Sequence, residues 1–167
     1  MNLLITFTQA NSFPFPFGFG NSGAEEFLKS NGENIRRPEN SRSEDKPILS
    51  KATITVIGEN GKNRFNEFKE YQNGWYGGKG KKISKSSVFT FEQFIKSLPE
   101  LKRANPSIFL SLEGNLSLGW EDKNGLSIEV EFYPDKMEYF IESLDEESEV
   151  KLSNLFELTE KIRKLLK

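Results

Sequence analysis

Hydrophobic and polar residues alternate along most of the final third of the chain. This period-two pattern is broken by turn sequences such as Gly114-Asn115 and Asn124-Gly125, as is typical of short antiparallel strands that bury one face. Leucine and isoleucine residues at helical spacing follow from Leu152 to Leu166. The apolar positions of the four predicted strands are Ile108, Leu110 and Leu112; Leu116, Leu118 and Trp120; Leu126, Ile128, Val130 and Phe132; and Met137, Tyr139 and Ile141. The pattern predicts an α+β fold, in which an antiparallel β-meander of about four strands packs against helices and the terminal helix covers the apolar face of the sheet.

The middle of the chain contains one strand pattern and two helical patterns. Apolar residues at alternate positions of residues 51–58 predict a strand. Helical spacing from Arg64 to about Tyr71 predicts a first helix, and a capping box at Thr90 and Gln93 predicts the start of a second. The inward positions are Ala52, Ile54 and Val56 in the strand, Phe65 and Phe68 in the first helix, and Phe91, Phe94, Ile95 and Leu98 in the second.

Residues 1–50 differ in composition from the rest of the chain. The stretch from Phe13 to Gly20 alternates phenylalanine with proline and glycine, which suits neither a helix interior nor a central strand. We therefore expect an irregular, partly disordered N-terminal arm over residues 1–50, followed by a single α+β domain over residues 51–167. Two interpretations of the aromatic stretch are open: its rings pack on the domain itself, or Phe15 and Phe17 dock onto a partner.

The amino-acid composition excludes several kinds of catalytic and metal-binding site. The chain has no cysteine and no histidine, which excludes disulfides, thiolate metal sites, cysteine nucleophiles and histidine bases. No serine stands in a Gly-x-Ser-x-Gly sequence. No apolar run reaches the roughly 20 residues of a membrane span, and the first residues do not read as a signal peptide. We expect a cytoplasmic protein with no cofactor and no membrane partner.

Charge is distributed unevenly, although the net charge is only −2. Residues 1–105 carry 16 Lys and Arg against 11 Asp and Glu, whereas residues 106–167 carry 7 against 14. Many of the acidic residues fall on positions of the predicted meander that face away from the core. These positions are Glu113, Glu121, Glu129, Glu131, Glu138 and Glu142. Two interpretations are open: a solvated face that keeps the sheet monomeric, or a surface complementary to a basic partner.

A segment rich in glycine, lysine and aromatic residues lies between the two predicted helices. Backbone amides and lysines can hold phosphate, and aromatic rings can stack on bases. The alternative function is therefore nucleic-acid binding by the loop 73–85, and its candidate residues are Trp75, Tyr76, Lys79, Lys81 and Lys82. The spacing does not match a Walker A sequence. The other interpretation is a structural loop whose Trp75 fills part of the core and whose lysines are solvated.

A metal-dependent nuclease is a further alternative. Glu129 and Glu131, with Lys136 nearby, could bind Mg²⁺ on a hairpin. The same Glu-x-Glu spacing follows from period-two alternation with acidic outer positions. We therefore assign no catalytic residue and no metal ligand.

The glycine-rich loop, the helix after it and the first strands follow one another in a recognisable order. Asn73-Gly74-Trp75-Tyr76-Gly77-Gly78-Lys79-Gly80 precedes a helix ending in Leu98-Pro99, and then come Pro106-Ser107-Ile108 and Gly114-Asn115-Leu116-Ser117-Leu118-Gly119-Trp120. This part of the chain, roughly residues 70–142, resembles a group of small uncharacterised bacterial proteins. Their pattern is Trp-Asp-Gly-x-Gly-Ala, a helix, Pro-x-Ile, and Asp-Gly-x-Ile-x-Leu-x-Trp before an acidic strand. Tyr76 and Gly119 stand where that group has acidic residues.

The group has no established activity, and its members often look like accessory genes of mobile or defence-type loci. The resemblance therefore implies a small accessory binding protein and carries over no site residues. The leading hypothesis is a non-enzymatic interaction factor, of an antitoxin-like, immunity-like or anti-defence kind, whose partner is a protein with a basic surface. Its predicted contact residues are Glu121, Glu129, Glu131, Glu138, Glu142, Phe15 and Phe17.

Overall fold

A computed structural model describes residues 46–166, which form an α+β fold. The described helices are α1 (Lys51–Phe68), α2 (Lys85–Ser97) and α3 (Leu155–Leu165). The described strands are β1 (Ser107–Leu110), β2 (Leu116–Glu121), β3 (Ser127–Phe132), β4 (Lys136–Ile141) and β5 (Glu146–Lys151). Short 3-10 turns lie at Pro99–Ala104, Glu142–Leu144 and Leu152–Asn154. Among these residues, no helix is long and apolar enough to cross a bilayer.

The strands form one antiparallel sheet in the order β1-β2-β3-β4-β5, so the predicted meander is confirmed. Its four predicted members are β1 to β4. The strand β5 was not predicted, because its sequence Glu-Glu-Ser-Glu-Val-Lys contains one apolar residue and gives no hydrophobic alternation. It pairs along its whole length with β4, from Lys136 opposite Lys151 to Ile141 opposite Glu146.

The apolar face of the sheet is covered by three described helices rather than by the terminal helix alone. The helix α2 packs on β2 and β3, α1 lies beside β1, and α3 lies beside β5. At the centre, the rings of Phe91 and Phe94 each lie 5.3 Å from the ring of Phe132. The expectation that the last helix covers the sheet was therefore wrong in its detail, since the apolar face of α2 occupies the central position.

Residues 51–58 are helical, so the predicted strand at this position was wrong. Ser50 caps the start of α1, where its Oγ accepts a hydrogen bond from the backbone N–H of Thr53 at 3.2 Å. The buried residues Thr53, Val56 and Ile57 have helical spacing, and this packing outweighs the strand preference of β-branched side chains. Gly58, with φ of 70° and ψ of −178°, interrupts the helix, and this conformation favours glycine.

The inward residues predicted for the two helices are confirmed, although the boundaries differ. Phe65 and Phe68 are buried on the second half of α1, and Phe91, Phe94, Ile95 and Leu98 are buried on and after α2. The helix α2 begins at Lys85 instead of Thr90, because Ser84 supplies the cap by accepting from the backbone N–H of Ser87 at 3.3 Å. Thr90 is buried and donates its hydroxyl hydrogen to the carbonyl oxygen of Pro134 at 3.1 Å.

Candidate functional site

The outer face of the sheet, opposite the hydrophobic core, carries the candidate site. Because side chains alternate along each strand, burial of one set of residues in β3 and β4 leaves the other set on this face. We call the outward carboxylates of β3, β4 and β5 the acidic face. Its members are Glu129, Glu131, Glu138, Glu147 and Glu149.

Three of these carboxylates form a continuous row across the sheet. Glu131 on β3 is directly opposite Glu138 on β4, and Glu138 is directly opposite Glu149 on β5. Side chains directly opposite one another in an antiparallel sheet have their Cβ atoms about 4.5–5.5 Å apart. The row therefore concentrates three negative charges within a short distance.

Lys136 offsets part of this charge from its position on β4. Its Nζ donates hydrogen bonds to Glu138 at 2.8 Å and to Glu149 at 2.7 Å. The hydrogen bond that Lys136 donates to Glu138 is the largest cause that raises the pKa of Lys136, and the bond that it donates to Glu149 lowers the pKa of Glu149. Lys151, directly opposite Lys136 on β5, also lowers the pKa of Glu149 by its charge. Three carboxylates against these two ammonium groups leave the row with a net negative charge.

The side chain that donates a hydrogen bond to Glu131 is uncharged. The Oε1 of Glu131 accepts a hydrogen bond from the side-chain amide of Asn115 at 3.3 Å. The half-buried Tyr133 lies nearby, where burial and the carboxylates of Glu131 and Glu138 raise the pKa of its hydroxyl. The hydroxyl of Tyr133 therefore stays protonated at neutral pH. Among the described residues, no lysine or arginine forms an ion pair with Glu131.

A groove with a volume of about 430 Å³ adjoins the acidic face on β1, β2 and β3. Gly119 forms part of its floor, and Glu129 lies directly opposite Gly119 in the sheet. The ring of Phe109 lies beside Gly119 and is covered by the guanidinium group of Arg64, whose Cζ is 4.6 Å from the ring centroid. Glu121 also lines the groove, so its wall combines two carboxylates with an aromatic ring.

Two other acidic residues expected on the outer face are placed differently. Glu142 lies in the 3-10 turn after β4, and its Oε2 accepts a hydrogen bond from the backbone N–H of Ser127 at 2.7 Å. Glu113 lies in the turn between β1 and β2 and forms an ion pair with Lys81. The expectation that Glu113 faces outward from the sheet was wrong, because β1 ends at Leu110 and the chain turns before Glu113.

The glycine-rich loop is closed on itself by Trp75. Trp75 forms a β-bridge with Gly80, its Nε1 donates to the carbonyl oxygen of Lys81 at 2.8 Å, and its ring lies 4.9 Å from that of Tyr71. Trp75 is half-buried within the loop and is not one of the core residues, so the expectation that it fills the core was wrong. Tyr76 and Lys79 are exposed at the tip of the loop.

The remaining loop lysines, Lys81 and Lys82, line a second groove of about 390 Å³. Lys85, the last residue of the loop 73–85, lines the same groove. Sequence reasoning missed two other lysines of this groove, Lys46 and Lys69, because they come from separate segments of the chain. It also missed Glu147 and Glu149 of the acidic face, since the strand that carries them was not predicted.

Within residues 46–166, no group of three or more acidic side chains is arranged to hold a metal ion. The predicted contact residues Phe15 and Phe17 lie outside the described residues. The proposed resemblance to small bacterial proteins stays a prediction. In comparisons with known proteins, no protein-family model, no curated protein and no solved structure matches this chain.

Proposed function

We propose that this chain is a non-enzymatic interaction protein whose acidic face binds a basic surface on another protein. The observation that carries the proposal is the row of Glu131, Glu138 and Glu149, three carboxylates in direct register on adjacent strands. Like charges directly opposite one another destabilise a sheet. Ammonium or guanidinium groups of a partner would offset this repulsion when they dock.

The charge of the surrounding structure supports the same partner chemistry. Residues 106–166, which contain the whole sheet, carry 6 Lys and Arg against 14 Asp and Glu. A surface of one sign speeds the association of a partner of the opposite sign and disfavours partners of the same sign. The groove beside Gly119 adds a concave site in which the carboxylates of Glu121 and Glu129 would hold a single arginine or lysine side chain.

An antitoxin, immunity or anti-defence protein that masks a basic surface of its target would act in this way. Such a protein needs no catalytic group, and its specificity depends on the arrangement of charged side chains on its surface. The acidic face offers this arrangement on a rigid sheet rather than on a loop, so little conformational entropy would be lost on binding.

The proposal is tested by neutralising the acidic face and comparing it with an equal change elsewhere. The face variant combines Glu129→Gln, Glu131→Gln and Glu138→Gln. The control variant combines Glu59→Gln, Glu67→Gln and Glu157→Gln, three exposed positions on α1 and α3. Both variants change the net charge equally, so a general electrostatic effect would weaken binding to the same extent in both.

Binding of a lysine- and arginine-rich peptide is measured by calorimetry at low ionic strength. We expect the face variant to bind at least about tenfold more weakly than the unchanged protein, since charge-assisted contacts contribute about 1.5–3 kcal/mol each. The control variant should retain nearly full affinity. Equal losses in both variants, or no loss in either, would reject the acidic face as the binding surface.

A further inference from the structure

A basic groove lies where the end of α1 meets the start of α2, in contrast to the acidic sheet. It is lined by Lys46, Lys69, Lys81, Lys82 and Lys85, and Glu113 supplies the one carboxylate among the described residues of its wall. Residues 46–105, which supply the groove's five lysines, carry 12 Lys and Arg against 5 Asp and Glu. The molecule therefore has a positive region that is separate from its acidic face.

The positive charge of the groove is only partly balanced by the protein itself. Lys46 pairs with Glu70 at 2.6 Å, and Lys81 pairs with Glu113. Neither Lys69 nor Lys85 makes an ion pair within the part of the chain that the structure describes. Lys69 and Lys85 are thus the ammonium groups that leave the groove positively charged.

The start of α2 adds to this positive potential. Ser84 caps the helix and lines the groove, and Lys85 is the first helical residue. The N-terminus of a helix carries a partial positive charge, so acidic residues are favoured in its first turn. The first turn of α2 contains no acidic residue and instead begins with a lysine. The start of α2 therefore adds its partial positive charge to that of Lys85.

The backbone that presents these lysines is held firmly in place. The backbone N–H of Lys82 donates to Oδ1 of Asn73 at 2.9 Å, and that of Lys81 donates to the carbonyl oxygen of Leu112 at 2.8 Å. A Cβ atom placed on Gly114 would lie 2.4 Å from the carbonyl oxygen of Lys82, so the turn between β1 and β2 touches this backbone directly. A site held in this way needs little rearrangement to bind a ligand.

We propose that the basic groove binds a phosphate group. Phosphate suits it because several ammonium groups and polar side chains converge on one concave surface, where they would donate hydrogen bonds to the phosphate oxygens. The groove is of a size that encloses a small phosphorylated molecule. The same phosphate chemistry is found in the backbone of single-stranded nucleic acid. The site is independent of the proposed protein partner, because it lies outside the acidic face.

The proposal is tested with two probes, pyrophosphate and a short oligothymidylate, at fixed low ionic strength. The groove variant combines Lys69→Gln with Lys85→Gln. The control variant combines Lys123→Gln with Lys164→Gln, two exposed lysines outside the groove. Affinity is measured by calorimetry, and circular dichroism verifies that each variant is folded. The face variant described above serves as a second control and should bind both probes at least as well as the unchanged protein.

We expect at least one probe to bind, and the groove variant to bind it roughly tenfold more weakly, as the loss of charge-assisted hydrogen bonds implies. The lysine control variant should bind that probe with nearly unchanged affinity. Tighter binding of pyrophosphate would indicate a small phosphorylated ligand, and tighter binding of the oligothymidylate a nucleic acid. The proposal is overturned if neither probe binds, or if the groove and lysine control variants lose affinity equally.

Discussion

Glu131 and Glu138 lie directly opposite each other on β3 and β4, on the face of the sheet that points away from the core. Lys136 donates a hydrogen bond to Glu138, whereas the described contact of Glu131 is with the uncharged amide of Asn115. The repulsion between the two carboxylates is therefore relieved by a cation only on the side of Glu138. A stable sheet that keeps such a pair is suited to a partner that supplies the missing positive charge.

The first prediction concerns the stability effect of this pair. Glu131→Gln removes one of the opposed charges and keeps an oxygen that can accept from Asn115. We expect the free energy of unfolding to rise by roughly 0.5 kcal/mol at neutral pH and low ionic strength. Urea denaturation measures this change, and the gain should shrink in high salt because the repulsion is screened. A loss of stability at low ionic strength would contradict the account.

The second prediction concerns the buried contact that joins α2 to the sheet. The Oγ of Ser87 accepts a hydrogen bond from the backbone N–H of Leu116 at 2.8 Å, and Ser87 is fully buried. Ser87→Ala leaves that N–H without its partner, so we expect a loss of about 1–3 kcal/mol. The neighbouring variant Ser86→Ala, at an exposed position, should change stability by less than about 0.5 kcal/mol. Similar losses in both variants would contradict this role for Ser87.

The third prediction concerns the closed loop at Trp75. A Cβ atom on Gly80 would lie 2.4 Å from the ring of Trp75, so Gly80→Ala forces the ring from its place. We expect a loss of about 1–3 kcal/mol, as in other overpacked sites. In a Trp75→Ala background the same glycine change should cost much less, since the clash is gone. A double-mutant cycle by thermal unfolding measures the coupling between the two substitutions. Additive losses of stability would show that the clash with the Trp75 ring is not the cause of the effect of Gly80→Ala.

Sequence patterns were sufficient to predict the strands β1 to β4 but not the helix α1. The strands β1 to β4 combine period-two alternation with turn sequences such as Asn124-Gly125, and both signals indicate the same structure. Residues 53–57 are all β-branched, and they fit a strand at alternate positions as well as a helix at three- and four-residue spacing. The serine cap and the burial of Thr53 and Ile57 decide between the two, and both depend on the folded structure.

The candidate surfaces were predictable to a similar, limited degree. The outward positions of Glu129, Glu131 and Glu138 followed from alternation, because each lies between buried neighbours in β3 or β4. The basic groove followed only in part: Lys81, Lys82 and Lys85 belong to the loop 73–85, whereas Lys46 and Lys69 come from segments that are distant along the chain. Their proximity is produced by the packing of the end of α1 beside the start of α2, which no local pattern describes.

The fourth prediction concerns the pH dependence of stability. The carboxylate of Glu146 pairs with Lys161 and accepts from the hydroxyl of Tyr139 at 2.6 Å, and these bonds lower the pKa of Glu146 from its usual 4.5. A lowered pKa in the folded state adds stability above pH 4.5, and that stability is lost as the pH falls through the folded value. Glu146→Gln should therefore cost about 1 kcal/mol at neutral pH, and the cost should disappear in acid.

Urea denaturation across the range from neutral to acidic pH checks this expectation. The matched control is Glu147→Gln, which changes the next residue of β5 on the opposite, exposed face. The control should show no such loss at neutral pH. A cost for Glu146→Gln that persists unchanged in acid would show that the ion pair with Lys161 is not its source.

The acidic face is tested most directly by amide NMR during titration with a lysine- and arginine-rich peptide at low ionic strength. We predict that the largest chemical-shift changes fall on outward residues of β3, β4 and β5, namely Glu129, Glu131, Glu138, Glu147 and Glu149, and that they diminish as salt is added. Shift changes of equal size at the exposed helical residues Glu59, Glu67 and Glu157, or none on the sheet, would contradict the account.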